Sequence, residues 1–156
     1  MNIYLVQHAL ARDKEEDPQR SLSDPGRAQA EQMARYAGEN LELAVARIWN
    51  SGKRRARQTA EIFAEHLKPP LGVREGEHLG PMDDPQIWAD RLAEMTQEVM
   101  IVGHLPHLQR LASALLIGDP LRPLVQFENA GIVCLSSNES GDWTVAWAHK
   151  PWMIAK

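Results

Sequence analysis

The chain has 156 residues, enough for one domain with its own core. Its 44% hydrophobic content excludes a disordered chain, and a net charge of -4 argues against broad nucleic-acid binding. The single cysteine, Cys134, excludes an internal disulfide and a cysteine-based zinc cluster. No run of about 18 apolar residues and no basic-then-apolar leader is present, so neither a membrane span nor a signal peptide is expected, and a cytoplasmic location is the expectation.

Residues 3–6 read as a buried strand that delivers Gln7-His8 at its carboxyl end. Residues 12–20 are highly charged and aperiodic, so they read as an exposed loop. Ser23-Asp24-Pro25 is a helix start, because Ser or Asp caps and Pro needs no amide donor in the first turn. Ala30, Met33, Ala34, Ala37 and Leu41 then share one face, with Gly38 expected to begin the helix end. Residues 45–49 form a second strand, closed by Asn50-Ser51-Gly52. The next helix starts in a basic run, Lys53-Arg54-Arg55-Ala56-Arg57. It aligns Ala56, Ala60, Phe63, Ala64 and Leu67 and stops at Pro69-Pro70.

Residues 72–79 predict a weaker strand, and a short helix follows with Trp88, Leu92 and Met95 facing inward. Residues 99–102 predict a second strongly apolar strand, ending in Gly103-His104. Pro106 opens a helix that aligns Leu108, Leu111, Ala112 and Leu115. Residues 131–135 and 143–147 flank a glycine-containing turn and predict a terminal hairpin, with Cys134 buried in its first strand. Alternating β and α units imply an α/β fold. It would be a three-layer α/β/α arrangement, its sheet mostly parallel with an antiparallel terminal strand, forming one domain over residues 1–156.

Two strands end in histidine, His8 and His104, and ligands of open parallel sheets bind beyond the carboxyl ends of the strands. Arg20 and Arg55 sit at loop–helix transitions on the same edge. Arginine binds phosphate oxygens through a planar fork of donors, and a helix amino terminus adds amide donors. A neutral imidazole can hold a phosphoryl group covalently. The set reads as an anion site built for phosphoryl chemistry. His104 and His107 do not read as half a metal site. Pro106 separates them and no third ligand has a convincing spacing.

These residues carry a resemblance. Gln7-His8-Ala9 is similar, at its central residue, to the Arg-His-Gly signature of the histidine phosphatase superfamily. The runs from Arg20 to Arg27, from Asn50 to Ala60 and from Val102 to Pro106 resemble that superfamily's other motifs, in order and over nearly the whole chain. Within it the chain looks most like the small SixA-like phosphohistidine phosphatases of phosphoglycerate mutase-like fold. The resemblance implies that His8 is the nucleophile, that Arg20 and Arg55 hold phosphate oxygens, and that His104 donates to the phosphate; its register selects Arg55 and leaves Arg54 and Arg57, on either side, as solvated helix-face charges. It implies no metal and no cofactor. The substrate would be a phosphorylated protein, a histidine-phosphotransfer domain included, or a small phosphorylated compound, with no nucleic-acid or membrane partner. Gln7 stands where the family has arginine, keeping an amide donor for phosphate but no charge, and Ala9 stands where it has glycine. The alternative reading is therefore a phosphate- or phosphoprotein-binding module with little turnover. Glu77, His78, Asp83 and Asp84 are available as a general acid, and spacing singles out none of them.

Overall fold

The computed structural model describes residues 1–154. In chain order the elements are β1 (Asn2–Gln7), α1 (Asp24–Asn40), β2 (Arg47–Asn50), α2 (Arg54–Leu67), β3 (Val73–Glu75), α3 (Pro85–Glu94), β4 (Val99–Gly103), α4 (His107–Ile117), β5 (Ile132–Ser137) and β6 (Trp143–His149), closed by a short 3-10 helix, Pro151–Met153. They build one six-stranded sheet in the order β3-β2-β4-β1-β5-β6. The first four strands are parallel, and β5 runs antiparallel to both its neighbours.

Side-chain alternation along β1 sorts the core into two layers. Tyr4 and Val6 face α1 and α2, meeting Met33, Ala37 and Phe63. Ile3 and Leu5 face α3 and α4, meeting Trp88, Leu92, Leu108 and Leu111. Helices thus cover both faces of the sheet, giving the three-layer α/β/α arrangement. Among the described residues, no helix is long and apolar enough to cross a membrane.

Local chemistry sets the boundaries. Ser23 caps α1: its hydroxyl accepts from the Gly26 amide at 3.1 Å and donates to the Leu10 carbonyl at 3.1 Å. Gly26 has no side chain because a Cβ there would lie 2.0 Å from that carbonyl. The start of α1 is therefore clamped to the segment just after His8. Gly38 does not end the helix. It lets α1 approach α2, since a Cβ would stand 2.9 Å from the His66 carbonyl. The weak strand is three residues long, Val73–Glu75, and Gly76 beyond it passes close to Trp88, where a Cβ would lie 2.8 Å from the indole. Pro106 is the residue before α4, with His107 as the first helical residue.

Candidate active site

β1 and β4 are paired in register, Gln7 opposite Gly103, so the residues that follow each strand leave the sheet side by side. His8 and His104 are those residues. The His8 amide donates to the Gly103 carbonyl at 3.0 Å, and the two imidazole centroids are 5.0 Å apart. Asn129 donates its side-chain amide to the His8 carbonyl at 2.8 Å, which ties this corner to the segment before β5.

The His8 ring is fixed by its own neighbour. Nδ1 lies 2.7 Å from the Ala9 carbonyl. A carbonyl only accepts, so Nδ1 carries the proton and Nε2 of the neutral ring keeps its lone pair. Burial lowers the His8 pKa to about 4; Arg55 and Arg20 push it the same way, against the Ala9 hydrogen bond. Ala9 is buried, and its backbone is not among the left-handed residues, so glycine is not needed there. Its amide donates to Thr59 Oγ1 at 3.0 Å, and that hydroxyl donates to the Arg55 carbonyl at 2.8 Å.

His104 is only 2% exposed. Its Nε2 meets Ser51 Oγ at 2.6 Å, and its Nδ1 is buried without a partner. Burial lowers its pKa to about 3, helped by His8, Arg55 and Lys53. A serine proton given to Nε2 would leave the proton of the neutral ring on Nδ1, an orphan donor that an anion would satisfy.

Of the three clustered arginines, Arg55 is the partly buried one. Arg54 reaches Gln19 and Arg57 reaches the Gly52 carbonyl at 3.1 Å, both on the surface. Arg55 Nε is buried with no partner, and burial, then Arg20, holds its pKa below the ordinary value. Arg20 adopts a left-handed backbone with φ of 51°. Such a conformation in a bulky residue persists only where its surroundings impose it. Here Asp17 imposes it by accepting from the Gln19 and Ser21 amides and the Ser21 hydroxyl, while Gln58 accepts from the Leu22 amide at 2.8 Å.

Gln7 lines a cavity of about 370 Å³ with Gln29, Leu105, Phe127, Glu128, Asn129 and Trp152, and neither Arg20 nor Arg55 lines that space. Its Oε1 is buried without a partner. A second cavity, about 650 Å³, opens on the other side, behind Ser51 and Lys53, and holds Glu75, Glu77, His78 and Asp83. Asp84 is instead occupied as the cap of α3.

Reading the sequence left Ser51, Thr59 and Asn129 without roles. Ser51 and Thr59 lie inside the motif run from Asn50 to Ala60, four residues before and after Arg55, so a signal for them existed. Asn129 had none, because its partner is 121 residues away in the chain. Among the described residues, one group of histidine and acids is close enough to hold a metal ion, Glu31, Glu65 and His66 on the α1–α2 seam, and a 3.0 Å contact between His66 and Glu31 already occupies it.

A family model, the histidine phosphatase superfamily (branch 1), matches residues 3–80, half of the chain. No curated protein matches. The protein histidine phosphatase SixA, solved with tungstate, is similar over 98% of this chain and 99% of its own, with a TM-score of 0.86 at 25% identity. A SixA structure from Agrobacterium tumefaciens has a TM-score of 0.76 at 24% identity, covering 96% of this chain and 97% of its own. A phosphoserine phosphatase from Entamoeba histolytica, solved with 3-phosphoglyceric acid, has a TM-score of 0.68 at 15% identity, covering 96% of both chains, a likeness of fold alone. With its motifs in order on a phosphoglycerate mutase-like sheet, the chain belongs to the histidine phosphatase superfamily, branch 1.

Proposed function

We propose that this chain is a phosphohistidine phosphatase that carries the phosphoryl group transiently on His8. The observation behind the proposal is the His8 ring itself. Its Nδ1 proton is donated to the Ala9 carbonyl, its pKa is lowered to about 4, and its ring lies 5.0 Å from that of His104, with Arg55 and Arg20 near enough to disfavour its charged form. A nucleophile held neutral needs no base to activate it.

In the first step Nε2 attacks phosphorus. A bond from Nε2 to phosphorus forms as the bond from phosphorus to the substrate nitrogen breaks. The departing imidazole nitrogen keeps the electron pair, and the substrate ring, already protonated on its other nitrogen, leaves as neutral imidazole. In the second step a water oxygen attacks phosphorus, the bond from phosphorus to Nε2 breaks with its electron pair returning to Nε2, and both water protons leave with the phosphate. Charge spreads over the equatorial oxygens at both transition states, and the proposal gives Arg20, Arg55 and the Nδ1 proton of His104 the task of holding them. An imidazole leaves far more readily than an alkoxide, so a phosphohistidine substrate requires no strong carboxylic acid. Phosphorylated proteins, including histidine-phosphotransfer domains, and small phosphoramidates are the substrates this chemistry suits.

A second reading, a phosphate-binding module with little turnover, is favoured by one observation: Gln7 supplies no charge and opens onto a different cavity. Labelling with phosphoramidate separates the two. The enzyme forms an acid-labile phosphoprotein that decays to inorganic phosphate, and His8→Ala forms none. Label that persists on the His8→Ala protein overturns the mechanism, and label that never decays favours the binding module.

A further inference from the structure

The cavity that holds Gln7 does not end there. It shares Gln29, Pro151 and Trp152 with a larger groove of about 960 Å³, which runs along α1 past Tyr36 to Asn40. Its near end touches the candidate active site twice. Leu105 directly follows His104, and Asn129 is bonded to the His8 carbonyl. The track along α1 spans about 22 Å from Pro25 to Asn40 at the rise of an α-helix, the length of roughly seven residues of extended chain.

The lining speaks to the occupant. Gln7, Gln29 and Asn129 offer amides, which bond a peptide backbone as donor or acceptor. Trp152 is 73% exposed and Leu105 38%, large apolar groups left open on either side of the near cavity. The near cavity's one charged lining residue, Glu128, lies 3.5 Å from Lys150, and the larger groove adds one charge of each sign, Arg35 and Glu39. A space without net cationic charge does not suit a second anionic group, so it disfavours compact multiply charged sugar or glycerate phosphates. It suits an uncharged stretch of polypeptide.

We propose that this continuous groove, from Gln7 past Trp152 along α1, is the docking track for the polypeptide that bears the phosphohistidine. The inference rests on the phosphatase reading above for the chemistry, and on the groove alone for binding.

Two variants alter the track away from the anion site. Trp152→Ala removes a wall, and Ala28→Arg fills the exposed α1 side of the groove. Each is assayed with phosphoramidate and with a histidine-phosphorylated peptide extending about seven residues beyond the phosphohistidine. The expected result is a loss of about tenfold in kcat/KM for the peptide, carried by KM, with phosphoramidate turnover unchanged. Equal turnover of the peptide by variants and wild type overturns the proposal, and so does an equal loss on both substrates. Binding of the same phosphopeptide to the His8→Ala protein reads the groove without any turnover. There Trp152→Ala weakens binding by about tenfold if the track holds the chain, and unchanged binding rejects it. A wild type that binds the peptide through the track and hydrolyses nothing rejects the phosphatase reading only.

Discussion

The His8–His104 pair stands between two cavities of opposite chemistry. Behind Ser51 the space is charged, with Lys53, Glu75, Glu77, His78 and Asp83 around it, most of them exposed to water. Behind Asn129 it is built of amides, aromatic rings and Leu105, and its one carboxylate faces Lys150. Exposed acids screened by water can exchange protons but select weakly. Amides and aromatic faces select by shape and by hydrogen bonds that must be satisfied. The difference sets a charged, exposed side at Ser51 against an amide and aromatic side at Asn129, and the docking track proposed above lies on the second. Each side reaches the anion site through one polar residue, Ser51 at His104 and Asn129 at His8.

The most severe way to break this picture is to remove the group between the cavities. His8→Ala is expected to lower turnover by about four orders of magnitude or more, the scale of losing a covalent nucleophile. Steady-state hydrolysis of phosphoramidate measures it. Residual turnover near wild type would move the chemistry elsewhere and leave the two cavities unrelated.

Next in size is Ser51→Ala. Ser51 is a positioning residue: its hydroxyl is the hydrogen-bond partner of His104 Nε2, at 2.6 Å. Without it His104 is buried with neither ring nitrogen bonded. The expected loss is about tenfold or more in kcat, from one buried hydrogen bond and the loss of the ring's orientation, with KM little changed. The pH profile of kcat should move with it, and Ser51→Thr should restore part of the loss. A change in KM alone would place Ser51 on the recognition side.

The sequence made much of this arrangement legible, for local reasons. The apolar runs of β1 and β4 each end in a histidine, and Ser23 announced the start of α1 through its capping chemistry. The distinction between Arg55 and its neighbours came from the family resemblance; burial agrees with it, since Arg54 and Arg57 lie exposed. What stayed hidden is what tertiary approach decides. Gly38 looks like a helix end in sequence and is a helix–helix contact in space. Asn129 sits in a loop that says nothing about His8. Gln7 looked like a weakened member of the phosphate set, and only the fold shows which cavity it lines.

Acid should test the buried pair as a unit. His8 and His104 have pKa values of about 4 and about 3 in the folded chain, against 6.5 for an unperturbed histidine. The unfolded chain therefore binds more protons below pH 6.5. Their contribution to stability is complete above that value and is lost as pH falls from 6.5 to about 3. Urea midpoints across this range should fall with pH, and less so in His8→Gln/His104→Gln. Tungstate should flatten the slope in the wild type, because an anion at the site favours the imidazolium forms. Equal slopes for wild type and double variant would mean that the two rings are not held neutral.

The smallest expected effect is at Gln7, and it bears most directly on the comparison. A charged hydrogen bond is worth about 1.5–3 kcal/mol against about 1 for a neutral one. Restoring arginine at this position should thus raise turnover by about tenfold if the guanidinium reaches the transferring phosphoryl group. Gln7, however, shares its cavity with Glu128. A new arginine would meet that carboxylate first and be drawn away from the phosphate. Gln7→Arg alone should therefore raise phosphoramidate turnover by only about twofold, and Gln7→Arg/Glu128→Gln should recover most of the tenfold. On the phosphopeptide both should raise KM, because the longer, charged side chain enters the near cavity of the proposed track. A full tenfold gain from the single substitution, with KM for the peptide unchanged, would show that Gln7 belongs to the anion site and that the recognition cavity begins beyond it.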